Sequence, residues 1–86
     1  FKLYQNFPNP SNPATMIAFD LTEDATVSLT VYSLLGNEVV KIIAGKRYAA
    51  GRHEVLFDAS NLSTGVYLYR LTAGRLTKTR KMVIVR

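Results

Sequence analysis

The feature that most constrains the fold of this sequence is a repeated alternation of apolar and polar residues. From Ile17 to Leu21 every second residue is large and apolar, and the same spacing returns from Val27 to Val31. Because successive side chains of a β-strand point to opposite faces, a period of two predicts strands that bury one face. No segment has the 3.6-residue period of an amphipathic helix, so the sequence predicts an all-β protein.

Turn-forming residues divide the chain into short strands. Turns are predicted at 22–25, 34–37, 58–61 and 73–75, where small and polar residues cluster and Gly36 tolerates positive φ. The predicted strands cover residues 15–21, 27–31, 38–43, 53–57, 66–72 and 76–85, and a loop between Gly45 and Gly51 has room for a short strand around Tyr48. Short strands separated by frequent turns are typical of an antiparallel, immunoglobulin-like β-sandwich of about seven strands. The predicted core contains Ile17, Phe19, Val27, Leu29, Val31, Val55, Phe57, Tyr67 and Leu71.

All three prolines of the chain lie near its start. Pro8, Pro10 and Pro13 fix their own φ and keep the preceding residues out of helical conformations. We expect residues 1–14 to form an extended, proline-rich segment that packs on a sandwich made of residues 15–86. The apolar residues expected to hold this segment against the core are Leu3, Tyr4 and Phe7.

Length and composition limit what the chain can be. With 86 residues it is large enough for one domain, which has little spare volume for an enclosed active site. Its hydrophobic content of 48% excludes a disordered tail, and no stretch reaches the ~20 apolar residues that a membrane-spanning helix requires. It has no cysteine, which excludes a disulfide framework. Because it has neither an initiator methionine nor a signal segment, we expect it to be a piece of a longer protein.

Basic residues are concentrated towards the C-terminal end. The formal net charge is +5, and five of the eleven basic residues lie in the last twelve positions, at Arg75, Lys78, Arg80, Lys81 and Arg86. Such a cluster attracts phosphate groups of nucleic acids or of lipopolysaccharide. It equally suits a solvated strand whose charges prevent aggregation at a sheet edge, and the sequence leaves both explanations open.

No set of residues predicts catalysis or metal binding. His53 is the only histidine, and a zinc site needs three or four ligands. Ser60 and Asp58 complete the residue types of a catalytic triad, but no G-x-S-x-G turn surrounds the serine and the three residues are too close in sequence to converge. The carboxylates within residues 20–24 match no calcium loop. We therefore expect no enzyme, no metal and no cofactor.

The tyrosines allow one alternative function. Tyrosine rings stack on the apolar faces of sugars, so a carbohydrate- or cell-wall-binding module of an extracellular enzyme is an alternative. Against it, the chain has no tryptophan, and tyrosines in strands more often form core or cross-strand contacts. The five tyrosines are Tyr4, Tyr32, Tyr48, Tyr67 and Tyr69.

Four segments distributed along the chain form an ordered series. They are YQNFPNP at 4–10 with NPAT at 12–15, VY at 31–32 with LGNEV at 35–39, DAS at 58–60 with Leu62 and GVY at 65–67, and KMVIVR at 81–86. The series resembles the type A C-terminal sorting domain of the bacterial type IX secretion system over essentially the whole chain. A related immunoglobulin-like domain occurs in flagellar hook-capping proteins, so the fold alone does not specify the function.

The resemblance implies both a function and a location. It implies a signal at the C-terminal end of a larger cargo protein, which is recognised by an outer-membrane translocon in Bacteroidetes-like bacteria. The cargo then passes through the periplasm and outer membrane and is secreted or held at the cell surface. A surface peptidase that removes the domain and joins the cargo to an anionic lipopolysaccharide is also implied. The expected partners are the translocon, the peptidase and the covalently linked cargo, with no specific nucleic acid and no transmembrane segment.

The resemblance also indicates candidate site residues. Its motif residues are Pro8, Asn9, Pro10, Gly36, Gly65 and Tyr67. We expect the prolines to stiffen the junction with the cargo, the glycines to allow turns and the tyrosine to fill the core. Because the final strand has basic residues on both faces, we expect it to be exposed there and to offer its edge to a partner. The residues expected to be recognised by the translocon are Lys78, Arg80, Lys81, Met82, Val83, Ile84, Val85 and Arg86.

Overall fold

A computed structural model describes all 86 residues. It contains seven strands and no helix, and therefore no helix able to cross a membrane. The strands are β1 (Lys2–Leu3), β2 (Ala14–Leu21), β3 (Ala25–Ser33), β4 (Glu38–Tyr48), β5 (Gly51–Asp58), β6 (Gly65–Ala73) and β7 (Leu76–Ile84). The predicted all-β class is confirmed.

The strands form two antiparallel sheets. One has three strands in the order β1-β2-β5, and the other has four in the order β4-β3-β6-β7. The chain changes sheet after β2, after β4 and again after β5, so each sheet contains strands that are distant in sequence. The two sheets enclose one core, which is the sandwich arrangement that the strand count and turn spacing predict.

The core is built from alternate residues of the strands. All of the predicted core residues are buried except Val55, which is half-buried at the margin of the core. The structure adds Leu3, Tyr69, Met82 and Ile84, each with at most 2% of its surface exposed. The first strand and the last strand therefore both contribute to the core.

β4 is longer than predicted and continues through Gly45 to Tyr48. The strand expected around Tyr48 is therefore present as the end of β4, and the predicted loop is limited to the two residues before β5. The pairing with β3 shifts between Val27, opposite Lys46, and Leu29, opposite Ile43, so two residues of β4 oppose one of β3. This β-bulge includes Gly45, which has a φ of 65°. The glycine thus bends a continuous strand instead of ending it.

The two motif glycines differ in their backbone conformations. Gly36 has a φ of 89° in the turn after β3, and its N–H donates to the carbonyl of Ser33 at 2.9 Å, which confirms the predicted turn. Gly65 begins β6 and has no positive φ. A Cβ there would lie 3.8 Å from the ring of Tyr67, an ordinary contact distance. The expectation that Gly65 permits a strained turn is therefore wrong.

The N-terminal proline-rich segment crosses from one sheet to the other. After β1 has paired with β2, Phe7 is bridged to Met16 of β2, and Ser11 is then bridged in parallel to Ile84 of β7. Leu3 is buried as expected, but the prediction that Phe7 anchors the segment is wrong, since 78% of it is exposed. Phe7 exchanges both backbone hydrogen bonds with Met16, so its side chain shares the outer face of the three-stranded sheet.

Candidate recognition surface

The last strand has two parts that differ in burial. The side chains of residues 76–81 are exposed, whereas Met82 and Ile84 are fully buried. Because side chains alternate, Lys78 and Arg80 are on the same strand face as these two core residues. Of the residues expected to meet the translocon, Met82 and Ile84 are thus inaccessible in the folded domain.

Lys78 and Arg80 are exposed although they are on the face that turns towards the other sheet. That sheet ends at β1, which has only two residues and covers little of β7. The Nε of Arg80 donates to the carbonyl oxygen of Leu3 at 2.7 Å, and the Nζ of Lys78 lies 6.0 Å from the centre of the Phe1 ring. These two cations therefore line the seam between the sheets.

The edge of β7 is covered near its end by the N-terminal segment. The N–H of Ser11 donates to the carbonyl of Val83 at 2.8 Å, and its carbonyl accepts from the N–H of Val85 at 2.9 Å. The Oδ1 of Asn9 accepts from the N–H of Val83 at 2.9 Å. The expectation that the final strand offers its edge to a partner is therefore wrong for residues 83–85, where the backbone groups already have partners.

A buried tyrosine hydroxyl holds the N-terminal segment in place. The Oη of Tyr69, a fully buried residue, donates to the carbonyl of Tyr4 at 2.7 Å and accepts from the N–H of Asn6 at 2.8 Å. Asn6 is itself buried, and its amide donates to the Oγ1 of Thr15 at 3.0 Å and to the carbonyl of Pro8 at 3.3 Å. Burial raises the pKa of the Tyr69 hydroxyl above its ordinary value, which keeps it protonated as a donor.

Lys81 and Arg86, the first and last residues of the final motif, are held through their backbones. The carbonyl of Lys81 accepts from the Nε2 of Gln5 at 2.6 Å, and the N–H of Arg86 donates to the Oγ1 of Thr64 at 3.0 Å. A terminal nitrogen of Arg86 also lies 3.3 Å from the carbonyl oxygen of Leu62. Both side chains are exposed, and neither forms an ion pair. Their positions are fixed while their charges stay available.

The motif residues of the last two strands lie side by side. Tyr67 is opposite Met82, and Gly65 is opposite Ile84. The ring of Tyr67 is buried, as predicted, and its hydroxyl donates to the carbonyl of Ser63 at 2.8 Å. The third motif segment is therefore paired directly with the fourth in the four-stranded sheet.

The two remaining motif segments reach the same end of the sandwich. Ser33, which accepts a hydrogen bond from Gly36 in the turn after β3, is paired with Tyr67. Ser11, which follows the first proline motif, is bridged to Ile84. All four segments that carry the resemblance thus reach the end of the sandwich at which β7 ends, and β6 separates the second segment from β7.

The groups considered for catalysis are apart and engaged in the fold. The ring of His53 lies 4.9 Å from that of Tyr48, and its Nε2 is 2.7 Å from the carbonyl oxygen of Ala49. Asp58, near the other end of β5, accepts from the N–H of Ser60 at 2.9 Å and closes the predicted turn. No group of three or more His, Cys, Asp or Glu side chains is placed to hold a metal ion. His53 and the Asp58–Ser60 turn are therefore not brought together as a triad.

None of the five tyrosines is largely exposed. The guanidinium of Arg52 lies 4.6 Å from the centre of the Tyr4 ring, and that of Arg70 lies 4.6 Å from the Tyr32 ring. The hydroxyl of Tyr4 donates to Asp20, and this hydrogen bond raises its pKa. Rings already in contact with cations do not form the row of open aromatic faces on which a sugar chain stacks.

The sequence matches the family described as the secretion system C-terminal sorting domain over residues 5–85. This range contains every strand except β1 and nearly all of the four motif segments. No curated protein matches the chain. The family match therefore includes both parts of the surface around the end of β7, the N-terminal segment and the last two strands.

Proposed function

The chain belongs to the family of secretion system C-terminal sorting domains, and on that premise we propose that the folded sandwich is the address by which the type IX outer-membrane translocon selects its cargo. A domain of this family is a type IX sorting signal and marks an attached protein for the cell surface or for release. Such a family of signals is not catalytic. We further propose that the cargo is attached to the cell surface after export.

The observation that carries this proposal is that the four motif segments meet at the end of the sandwich where β7 ends. Met82 and Ile84 fill the core beneath this region and hold its exposed neighbours in position. Lys78 and Arg80 face the seam between the sheets and lie outside the region at the end of β7. We assign recognition to the exposed or half-exposed side chains that remain, here called the terminal surface: Lys81, Val83, Val85 and Arg86.

The position of the terminal surface leaves it accessible when a cargo is attached. Phe1 and Arg75 line one groove beside the turn between β6 and β7, whereas Arg86 is bonded to Thr64 just before β6. The nine residues of β6 separate these two ends by about 30 Å at ~3.3 Å per residue. A cargo joined through residue 1 therefore emerges at the opposite end of the sandwich and does not obstruct the terminal surface.

The test replaces the two charges of the terminal surface in a reporter fused to residues 1–86. Exposed substitutions such as Lys81→Gln with Arg86→Gln change stability by less than about 0.5 kcal/mol. The backbone bonds to Gln5 and Thr64 stay in place, and only the exposed contact of the Arg86 guanidinium with the carbonyl of Leu62 is lost. We expect an unchanged melting temperature and retention of most of the reporter inside type IX-competent cells. Circular dichroism and immunoblotting of cells and medium measure the two outcomes.

A matched control removes the same amount of charge elsewhere. Lys46 and Arg47 are exposed residues of β4, although the sequence predicts a loop there. Lys46→Gln with Arg47→Gln should alter neither melting nor export. Normal export of the Lys81/Arg86 variant, under conditions where deletion of the whole domain abolishes export, would show that the address lies elsewhere on the sandwich.

A further inference from the structure

An open cleft separates β1 from the exposed part of β7. Its volume is ≈ 350 Å³, and its lining consists of Lys2, Leu3, Lys78, Thr79 and Arg80. This size is at the lower end of the range of about 300–1,000 Å³ that is usual for small-molecule sites. Three of the five lining residues are cations, and no carboxylate lines the cleft.

The protein does not neutralise these three cations. The ion pairs of the chain use only Lys41 and Arg52 as their positive partners. Lys2, Lys78 and Arg80 take part in none of them, although all three line one cleft. The Nζ of Lys2 lies 5.0 Å from the centre of the Tyr4 ring, and the Nζ of Lys78 lies 6.0 Å from that of Phe1, so neither ammonium group is paired with a carboxylate. Like charges held together in this way repel one another and are stabilised by an anion that binds between them.

The cleft also presents hydrogen-bond donors in fixed positions. Arg80 is held through its Nε on the carbonyl of Leu3, which leaves the two terminal nitrogens of the guanidinium free. Val83 points its N–H and carbonyl away from β6, towards the N-terminal segment. Since these groups alternate along an antiparallel strand, Thr79 points its N–H out of the same edge, into the cleft that it lines.

We propose that this cleft binds a phosphate monoester group. A phosphate has three terminal oxygens that can accept from a guanidinium, two ammonium groups and a backbone N–H together, whereas a carboxylate has only two oxygens to share among them. The rest of the cleft has room for a small organic group of about the size of one sugar ring. The site is distinct from the terminal surface, because Lys78 and Arg80 face the seam between the sheets.

The test is an NMR titration of isotope-labelled residues 1–86 at low ionic strength, with inorganic phosphate and glucose 6-phosphate as separate probes. We expect saturable shifts of the amides of residues 78–80 with both probes. Lys2→Gln with Lys78→Gln keeps the bond between Arg80 and Leu3 and should weaken binding at least about tenfold, because two charge-assisted contacts are lost. Lys46→Gln with Arg47→Gln lowers the net charge equally and should weaken it less than about twofold.

The two probes and the control separate the possible explanations. Tighter binding of glucose 6-phosphate supports a monoester ligand, and equal binding supports recognition of the phosphate group alone. Equal weakening in the two double variants would overturn the proposal, because the effect would then follow net charge. Shifts that do not saturate, or that spread over the whole basic surface, would also overturn it. So would tighter binding of a single-stranded oligonucleotide than of glucose 6-phosphate at physiological salt.

Discussion

Removal of the Tyr69 hydroxyl tests how the N-terminal segment is held. In Tyr69→Phe the ring still fills its place in the core, but two hydrogen bonds are lost, one to the carbonyl of Tyr4 and one from the N–H of Asn6. No water can replace them without entering the core, since Tyr69 has no exposed surface and Asn6 only 2%. The substitution therefore removes the hydrogen bonds that hold the N-terminal segment without changing the packing of the ring.

The cost follows from these two contacts. A typical buried hydrogen bond contributes about 0.5–1.5 kcal/mol, and a buried group left without a partner costs about 1–3 kcal/mol. We expect Tyr69→Phe to lower the free energy of unfolding by about 2–3 kcal/mol in total. At roughly 4–8 °C per kcal/mol for a domain of this size, the melting temperature should fall by about 10–20 °C.

The assay combines thermal unfolding with hydrogen exchange. The amides of Phe7 and Ser11, which pair with β2 and β7, should exchange faster in Tyr69→Phe because the segment opens more often. Tyr67→Phe is the matched control, since the hydroxyl of Tyr67 bonds only within the short loop around Ser63. Its cost should stay below about 1.5 kcal/mol. Equal losses of unfolding free energy in both variants, or unchanged amide exchange at Phe7 and Ser11, would refute the role of the Tyr69 hydroxyl in holding the N-terminal segment.

Two further predictions concern stability. Phe57→Ala removes a buried ring and should cost about 3–5 kcal/mol in urea unfolding, whereas Leu56→Ala, at a position 65% exposed on the other face of β5, should cost less than about 0.5 kcal/mol; similar costs would contradict the assigned faces. The folded state raises the pKa of Tyr69 by burial and that of Tyr4 by its hydrogen bond to Asp20. The contribution of these two raised pKa values to the free energy of unfolding is complete below the ordinary tyrosine pKa of about 10 and is lost as pH rises through the raised values. Melting temperatures should therefore fall above about pH 10, and they should fall less in Tyr69→Phe. A melting temperature that is constant to pH 11.5 would contradict this.

The strands and several turns depend on local rules, and the sequence was sufficient to predict them. The alternation from Ile17 to Leu21 places β2 because the geometry of a strand sends every second side chain to the core. The turn after β5 follows from Asp58, whose carboxylate accepts from a backbone N–H two residues later. Both effects act within a few residues and leave a direct trace in the sequence.

Where one local signal is compatible with two structures, the prediction from the sequence was wrong. Gly45 is typical of a loop, but in the folded sheet it forms a bulge because β3 continues opposite it. Phe7 is apolar and was expected in the core, yet its pairing with Met16 turns it to the outer face. Only the neighbouring strand decides which outcome applies.

For the candidate site, the sequence alone determined that the basic and apolar segment at 81–86 is the fourth in an ordered series of motifs. The tertiary structure decided that Met82 and Ile84 are buried and that the edge beside them is already covered. It also decided that Tyr69 is the residue that holds the covering segment. The physical reason is distance along the chain: the side-chain hydrogen bonds that join the N-terminal segment to β6 and β7 link residues 63 to 77 positions apart. No periodicity or turn rule extends that far, so these contacts exist only once both sheets have formed.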